Sequence, residues 1–347
     1  MKDEFDHETN IAYLVFKRPG DATQNYYQCQ YIESRDLSDI HDCDFVFAPF
    51  STQSEAILFL KFDKELEKHE LDSSLLCSKI LEDISRAEYG LQFQKLKRRI
   101  LNGDIYKLVL SRIKAYRANK LLPQDIFNLL LTNYPDAFSY MLLIPDRMCW
   151  IGASPEPLLQ ESGGAFLSSA LAGTQALTLE PKDVFWGEKE REEHAFIETY
   201  LEESFRQAKL TYEKSDCYTV AAAEVCHIRS DFYLDKENDI SELIKILHPG
   251  PALSGYPKEL AVEMIPALEA HKRSYYTGYF GTLSKSLGLC LYANLRCMAL
   301  YKEGAELYLG GGITKDSDEE SEWQETELKS RTMGAVLEML SNQKVQL

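Results

Sequence analysis

The chain has 347 residues, a formal net charge of −17, 45% hydrophobic and 27% charged residues. Such a length and apolar content supply a sizeable core and exclude a disordered chain. The excess negative charge repels phosphate backbones and anionic lipid, so neither nucleic acid nor a membrane is an expected partner.

The chain opens on M-K-D-E-F-D-H-E-T-N, which is acidic and lacks the apolar run of a signal peptide. No stretch approaches the ~20 apolar residues that span a bilayer, and a cytoplasmic location is expected. Short apolar runs at 12–16, 45–47 and 56–62 predict strands. Leu75, Leu76, Ile80, Leu81, Ile84, Phe93, Leu96 and Ile100 fall at helical spacing and predict a helix over 72–103, ended by Gly103. A strand over 106–116 and a helix over 124–133, stopped by Pro135, follow. Residues 139–144 and 148–151 predict a hairpin around Pro145-Asp146. Helices are expected at 187–209 and 257–270, and strands at 276–283, 288–299 and 305–309. A C-terminal helix is expected over 317–340. Strands cluster and helices stand in separate blocks, which predicts an α+β fold in one large domain over 1–347. The eight cysteines show no C-x-x-C pair and no zinc spacing, so reduced and mostly buried thiols are expected.

Five segments carry chemistry. Gly310-Gly311-Gly312 lets backbone approach a ligand closely, and its N–H groups can hold an anion. On the helix that follows, Glu322, Glu325 and Lys329 share one face. Two carboxylates one turn apart can hold Mg²⁺, a hard cation that prefers oxygen. The plain alternative is an acidic helix start with a Glu325–Lys329 surface pair. The charged run Glu188–His194 reads equally as a solvated helix face. Ser154-Pro155-Glu156 and Ala172-Gly173-Thr174 are strand exits with small residues and one polar group, or simple turns. Lys107 stands in an apolar strand, where it either snorkels outward or acts as a buried base. The loop 247–257, with two glycines and three prolines, is rigid and of no evident purpose from composition.

Taken in order, these segments resemble the chorismate-binding enzymes. The resemblance covers 88–340 through K-L-V-L-S-R, G-A-S-P-E-P-L, A-L-A-G-T, E-x-E-E-H, C-H-I, L-H-P-G-P-A-L-S-G-Y-P-K, R-S-Y-Y-T-G-Y-F-G, L-R-C, G-G-G-I and S-E-W-Q-E-T-E-L-K. Residues 1–87 match nothing specific and read as a variable N-terminal portion of the same domain. The resemblance implies two stacked antiparallel sheets flanked by helices. It implies Mg²⁺ as cofactor, with Glu193, Glu322 and Glu325 as ligands. Arg296, Lys329 and the backbone at Gly311 and Gly312 match groups that hold the chorismate carboxylates, and Gly173 and Thr174 match the loop over the second one. His227 matches a histidine near the reacting ring.

Two positions speak to the reaction. Members that add water resemble each other in carrying Lys where this chain has Lys107; members that add ammonia usually carry Gln. Aminodeoxychorismate synthases carry a nucleophilic Lys where this chain has Ala172, so that covalent route is not expected. The Ala252-Leu253 pair is similar to isochorismate synthases, whereas Gly103-Asp104-Ile105-Tyr106 is more similar to the ammonia-using branch. The expected activity is isochorismate synthase, serving menaquinone or a catechol siderophore, with Lys107 as general base and Glu156 as general acid. Salicylate synthase is the nearest alternative, ahead of anthranilate or aminodeoxychorismate synthase and of a non-catalytic chorismate-binding homologue. A monomer or homodimer without an obligatory glutamine amidotransferase subunit is expected.

Overall fold

The computed structural model describes residues 10–67, 73–118, 120–176, 180–222 and 225–344. The acidic start through Thr9 and position 72 of the expected first helix lie outside the described residues. In chain order the first elements are β1 (Ile11–Lys17), β2 (Asn25–Ser34), β3 (Phe45–Ala48), β4 (Ile57–Glu65), α1 (Arg86–Leu101), β5 (Lys107–Arg117), α2 (Pro123–Asn133), β6 (Phe138–Ile144), β7 (Met148–Ser154), β8 (Pro157–Ser162) and β9 (Ala165–Ala176). Then come α3 (Glu188–Gln207), β10 (Tyr212–Lys214), β11 (Tyr218–Ala222), β12 (Val225–Leu234), α4 (Ile240–Leu247), β13 (Gly255–Tyr256), α5 (Lys258–Leu268), β14 (Tyr279–Thr282), β15 (Cys290–Ala293), β16 (Cys297–Tyr301), β17 (Gly304–Ile313) and α6 (Glu319–Lys344). The fold is mixed α+β, with a large antiparallel sheet and six helices.

Every strand pairing is antiparallel. Together the pairings chain the strands into one ribbon, β13–β5–β17–β16–β7–β6–β1–β2–β4–β3–β14–β15–β8–β9–β12, with β10 and β11 lying along β12. The two separate sheets implied by the resemblance are therefore one hydrogen-bonded sheet, joined through β1, β2 and β4. The ribbon curls until its arms face each other. Tyr140 of β6 meets Phe280 of β14 with ring centroids 4.3 Å apart, and Phe138 meets the same ring at 5.0 Å. Each such buried ring contributes about 1.5–3 kcal/mol over leaving it exposed.

β6 shows how the layers are specified. Phe138, Tyr140, Leu142 and Ile144 point into this inner core, while Met141 and Leu143 point to the other face. There they pack with Phe127 and Leu130 of α2 and Val336 and Leu337 of α6. A strand buried on both faces reads as an unbroken apolar run, which is what F-S-Y-M-L-L-I is.

Two expected elements differ. The helix over 72–103 begins only at Arg86, because Ser85 and Glu88 form a capping box there: Glu88 N donates to Ser85 Oγ at 3.3 Å and Ser85 N to Glu88 Oε2 at 2.9 Å. The strand over 288–299 breaks into β15 and β16 at Arg296, whose φ of 48° turns the chain. The cysteines are all free, and five of them are buried. Among the described residues no helix is long and apolar enough to cross a membrane.

Candidate active site

β17 pairs along its whole length with residues 108–117 of β5, and this brings Lys107, just past the last pair, beside the glycine run. A Cβ at Gly312 would lie 2.7 Å from Lys107 Cε, so glycine lets the flexible lysine stem lie across the strand. Gly311 faces the other way. A Cβ there would lie 3.0 Å from Glu322 Oε2 and 3.7 Å from Glu325 Oε1. The run thus clears space for a cation on one side and two carboxylates on the other.

The carboxylates come from α6. Lys329 Nζ donates to Glu325 Oε1 at 2.6 Å and to Gly310 O at 2.8 Å, which ties the helix to β17. Ser317 Oγ donates to Glu322 Oε1 at 2.6 Å. Burial pushes the Glu322 carboxyl above its ordinary value; the Ser317 bond opposes this and the neighbouring Glu325 charge adds to it.

Glu156 enters just beyond β7. Its carbonyl accepts from Ala293 N at 3.0 Å, and the buried Ser154 Oγ donates to Ala293 O at 2.6 Å, so the exit from β7 is locked to the end of β15. Burial pushes the Glu156 carboxyl up, against the pull of Lys107, Lys329 and Arg296. These three cations therefore act on one carboxyl through their charge, none as a direct ion pair. Arg296 lies in the turn before β16, where its Nη1 donates to Thr332 Oγ1 at 2.8 Å.

A second group forms where β9 meets β12. His227 pairs with Thr174 and Ile228 with Ala172, so Gly173 is the extra residue of a bulge and adopts φ 65°. His227 Nδ1 donates to Gly173 O at 3.1 Å, and burial lowers the imidazole pKa. Thr174 is placed by its backbone alone; its side chain lies outside what is described. Glu190 of α3 packs against Gly173, and Glu193 is exposed on the same helix. Among the described residues no three acidic, His or Cys groups gather closely enough to hold a metal ion, so Glu193 is not brought to Glu322 and Glu325 as a third ligand. The Glu322–Glu325 pair by itself suits Mg²⁺, which commonly takes one or two carboxylates and completes its shell with water and substrate oxygens.

The loop before β13 abuts the base. Val109 N donates to Ser254 O at 2.8 Å, and Tyr256 pairs with Lys107. Gly255 is required there: at φ 144° a Cβ would lie 2.3 Å from Lys107 O. Leu253 is buried, whereas Ala252 is exposed. Beneath the loop lies a network that sequence reasoning missed. Arg273 Nη1 donates to Leu253 O at 2.9 Å and Nη2 to Val109 O at 2.6 Å, while Glu269 Oε1 accepts from Ser111 N at 2.8 Å. Ser317 and Thr332 were missed as well. Arg273 heads R-S-Y-Y-T-G-Y-F-G and Ser111 lies in K-L-V-L-S-R, but neither segment shows that the two meet through Glu269, and no local pattern marks Ser317 or Thr332.

A profile of the family described as chorismate binding enzyme matches residues 5–335. The chain is 30% identical over 269 residues to anthranilate synthase component 1 1 of Haloarcula marismortui, covering 72% of this chain and 53% of that protein. It is 27% identical over 241 residues to isochorismate synthase EntC of Escherichia coli, covering 66% of this chain and 62% of that protein. It spans less than two thirds of the length of either relative. The solved structure of MenF, the menaquinone-specific isochorismate synthase from Escherichia coli, superposes with a TM-score of 0.79 over 97% of this chain and 92% of that one, at 18% identity. That likeness is one of fold.

Proposed function

Because the chain belongs to the chorismate-binding enzyme family, we propose that it converts chorismate to isochorismate. The observation that carries this reading is Lys107, whose stem crosses Gly312 and whose charge acts on a Glu156 carboxyl held above its ordinary pKa by burial. Lys107 takes a proton from the water that attacks C2. Glu156 gives its proton to the departing C4 hydroxyl, and the ring double bonds shift. Water is consumed at one carbon and released at the other, so the balance closes.

Arg296, Lys329 and the N–H groups at Gly311 and Gly312 hold the substrate carboxylates against an acidic background. Gly173, Thr174 and His227 face the ring side, with Ala252 and Leu253 along the loop. Mg²⁺, held by Glu322 and Glu325, supplies positive charge for the C1 carboxylate when bound. Glu193, exposed on α3, is the third ligand that the resemblance implies. The product suits menaquinone or catechol siderophore synthesis.

A second reading is ammonia addition to give anthranilate. It is favoured by Gly103-Asp104-Ile105-Tyr106 ahead of Lys107 and by the Haloarcula marismortui relative. One experiment separates the readings: purified protein is incubated with chorismate and Mg²⁺, with and without ammonium, and the products are resolved by chromatography. Isochorismate in both arms is expected. Anthranilate in the ammonium arm would overturn the water-adding assignment, salicylate with pyruvate would move it to salicylate synthase, and binding without turnover would leave a non-catalytic homologue.

A further inference from the structure

We infer that Arg112 is a positioning residue that sets the rotation of α6 about its own axis, and so aims Glu322, Glu325 and Lys329 at the glycine run of β17. The inference rests on the proposed role of that helix face. Arg112 is only 1% exposed, and a buried guanidinium is costly unless it is fully partnered. Its partners lie on α6. Nε donates to Thr326 Oγ1 at 2.8 Å, and Nη2 donates to Glu327. The guanidinium carbon lies 3.8 Å from the centre of the Trp323 ring. The Thr326 hydroxyl, while accepting from Arg112, donates to Trp323 O at 2.7 Å. Tyr89 of α1 closes on the same indole edge-on, at 5.4 Å between centroids.

Positions 323, 326 and 327 form one stripe of the helix, at i, i+3 and i+4. Positions 322, 325 and 329 form the neighbouring stripe, about 100° round the axis. Gripping the first stripe fixes where the second points. A slip of one residue would swing the carboxylates off Gly311. The grip also fixes α6 relative to Lys107, since Lys107 and Arg112 stand on the same strand. Lys114 holds the same Glu327 at 2.5 Å, but from solvent, with its side chain 36% exposed. An exposed pair adds little, so Lys114 serves as an internal control for the buried contact.

The test compares Thr326→Val, Arg112→Lys and Lys114→Met with the wild-type chain. Mg²⁺ binding is measured calorimetrically without chorismate, alongside melting temperature and the kcat and KM for chorismate at saturating Mg²⁺. Thr326→Val and Arg112→Lys should weaken Mg²⁺ binding about tenfold, the cost of one hydrogen bond to a charged group, and lower kcat more than they raise KM. Lys114→Met should stay within about twofold of wild type. Wild-type Mg²⁺ affinity in both buried-contact variants, or equal losses in all three, would overturn the positioning role. Should Arg112→Lys fail to fold, Thr326→Val decides, because it removes one hydroxyl and keeps the shape. A wild-type chain that binds no Mg²⁺ would instead sink the metal-holding reading of Glu322 and Glu325, and this inference with it.

Discussion

Replacing Lys107 with alanine, or Glu156 with glutamine, is expected to lower turnover by about 10²–10⁴-fold, with KM for chorismate changing far less. Both residues are assigned proton transfers, which are worth more in the transition state than in the bound ground state. Neither substitution should disturb the scaffold. Lys107 begins β5, is only partly buried, and its stem lies over a glycine, so truncation removes no core side chain. Glu156 is held in place through its backbone, by the bond from Ala293 N, which glutamine keeps.

The pH profile gives the same expectation a sign. Burial raises the Glu156 carboxyl above its ordinary value of 4.5. A general acid works in its protonated form, so its contribution is full below the raised pKa and falls as pH rises through it. The kcat of the wild-type enzyme should therefore decline on the alkaline side of that value, and residual turnover of Glu156→Gln should lack this limb. Turnover equal to wild type in either variant would remove that residue from its role.

Much of this arrangement is legible along the chain, and the exceptions have physical causes. The β6–β7 hairpin and the face shared by Glu322, Glu325 and Lys329 follow from spacing alone. β2 does not. Tyr27, Cys29 and Tyr31 alternate into the inner core, but Tyr26 is buried on the other face and Gln28 and Gln30 break the apolar run, so the strand carries no plain apolar signature. The leucines before α1 imitate a helical stripe. In the structure Leu76, Leu81 and Ile84 are buried along a non-helical strap, while Ile80 is 93% exposed, which no single helix face explains. β9 and β12 carry buried polar residues, Ser168, Ser230 and Asp231, and so lack the apolar signature of interior strands. Sequence resemblance carries the motif residues but not how they join. Arg112 closes K-L-V-L-S-R and Thr326 lies in S-E-W-Q-E-T-E-L-K, and only the packing of α6 across β5 shows that they meet.

Glu269→Gln is expected to cause a large loss of stability, about 3–5 kcal/mol, because it leaves the Arg273 guanidinium charged, buried and without its counter-ion. The Arg273 and Glu269 side chains are 2% and 1% exposed, and Arg273 Nη2 donates to Glu269 Oε1 at 2.7 Å. Burial alone would push the Glu269 carboxyl up. The charge and hydrogen bonds of Arg273 more than reverse this, and its pKa lies below the ordinary 4.5. A lowered carboxyl pKa stabilises the fold above the unfolded value, and that stabilisation is lost as pH falls through the lowered one. The melting temperature of Glu269→Gln should accordingly be lower than wild type by about 5–10 °C at neutral pH, with the gap closing in acid. Arg273→Met should be comparably unstable, since it strands the carboxylate instead. A gap below about 1 °C at neutral pH would mean that the pair is not buried in solution. The network spans residues 158 positions apart, from Ser111 to Glu269, and through Val109 and Leu253 it holds both the strand that starts at Lys107 and the loop beside it. Glu269→Gln should for that reason also lower kcat at temperatures where the variant is still folded, by loosening the position of the base rather than by changing its chemistry.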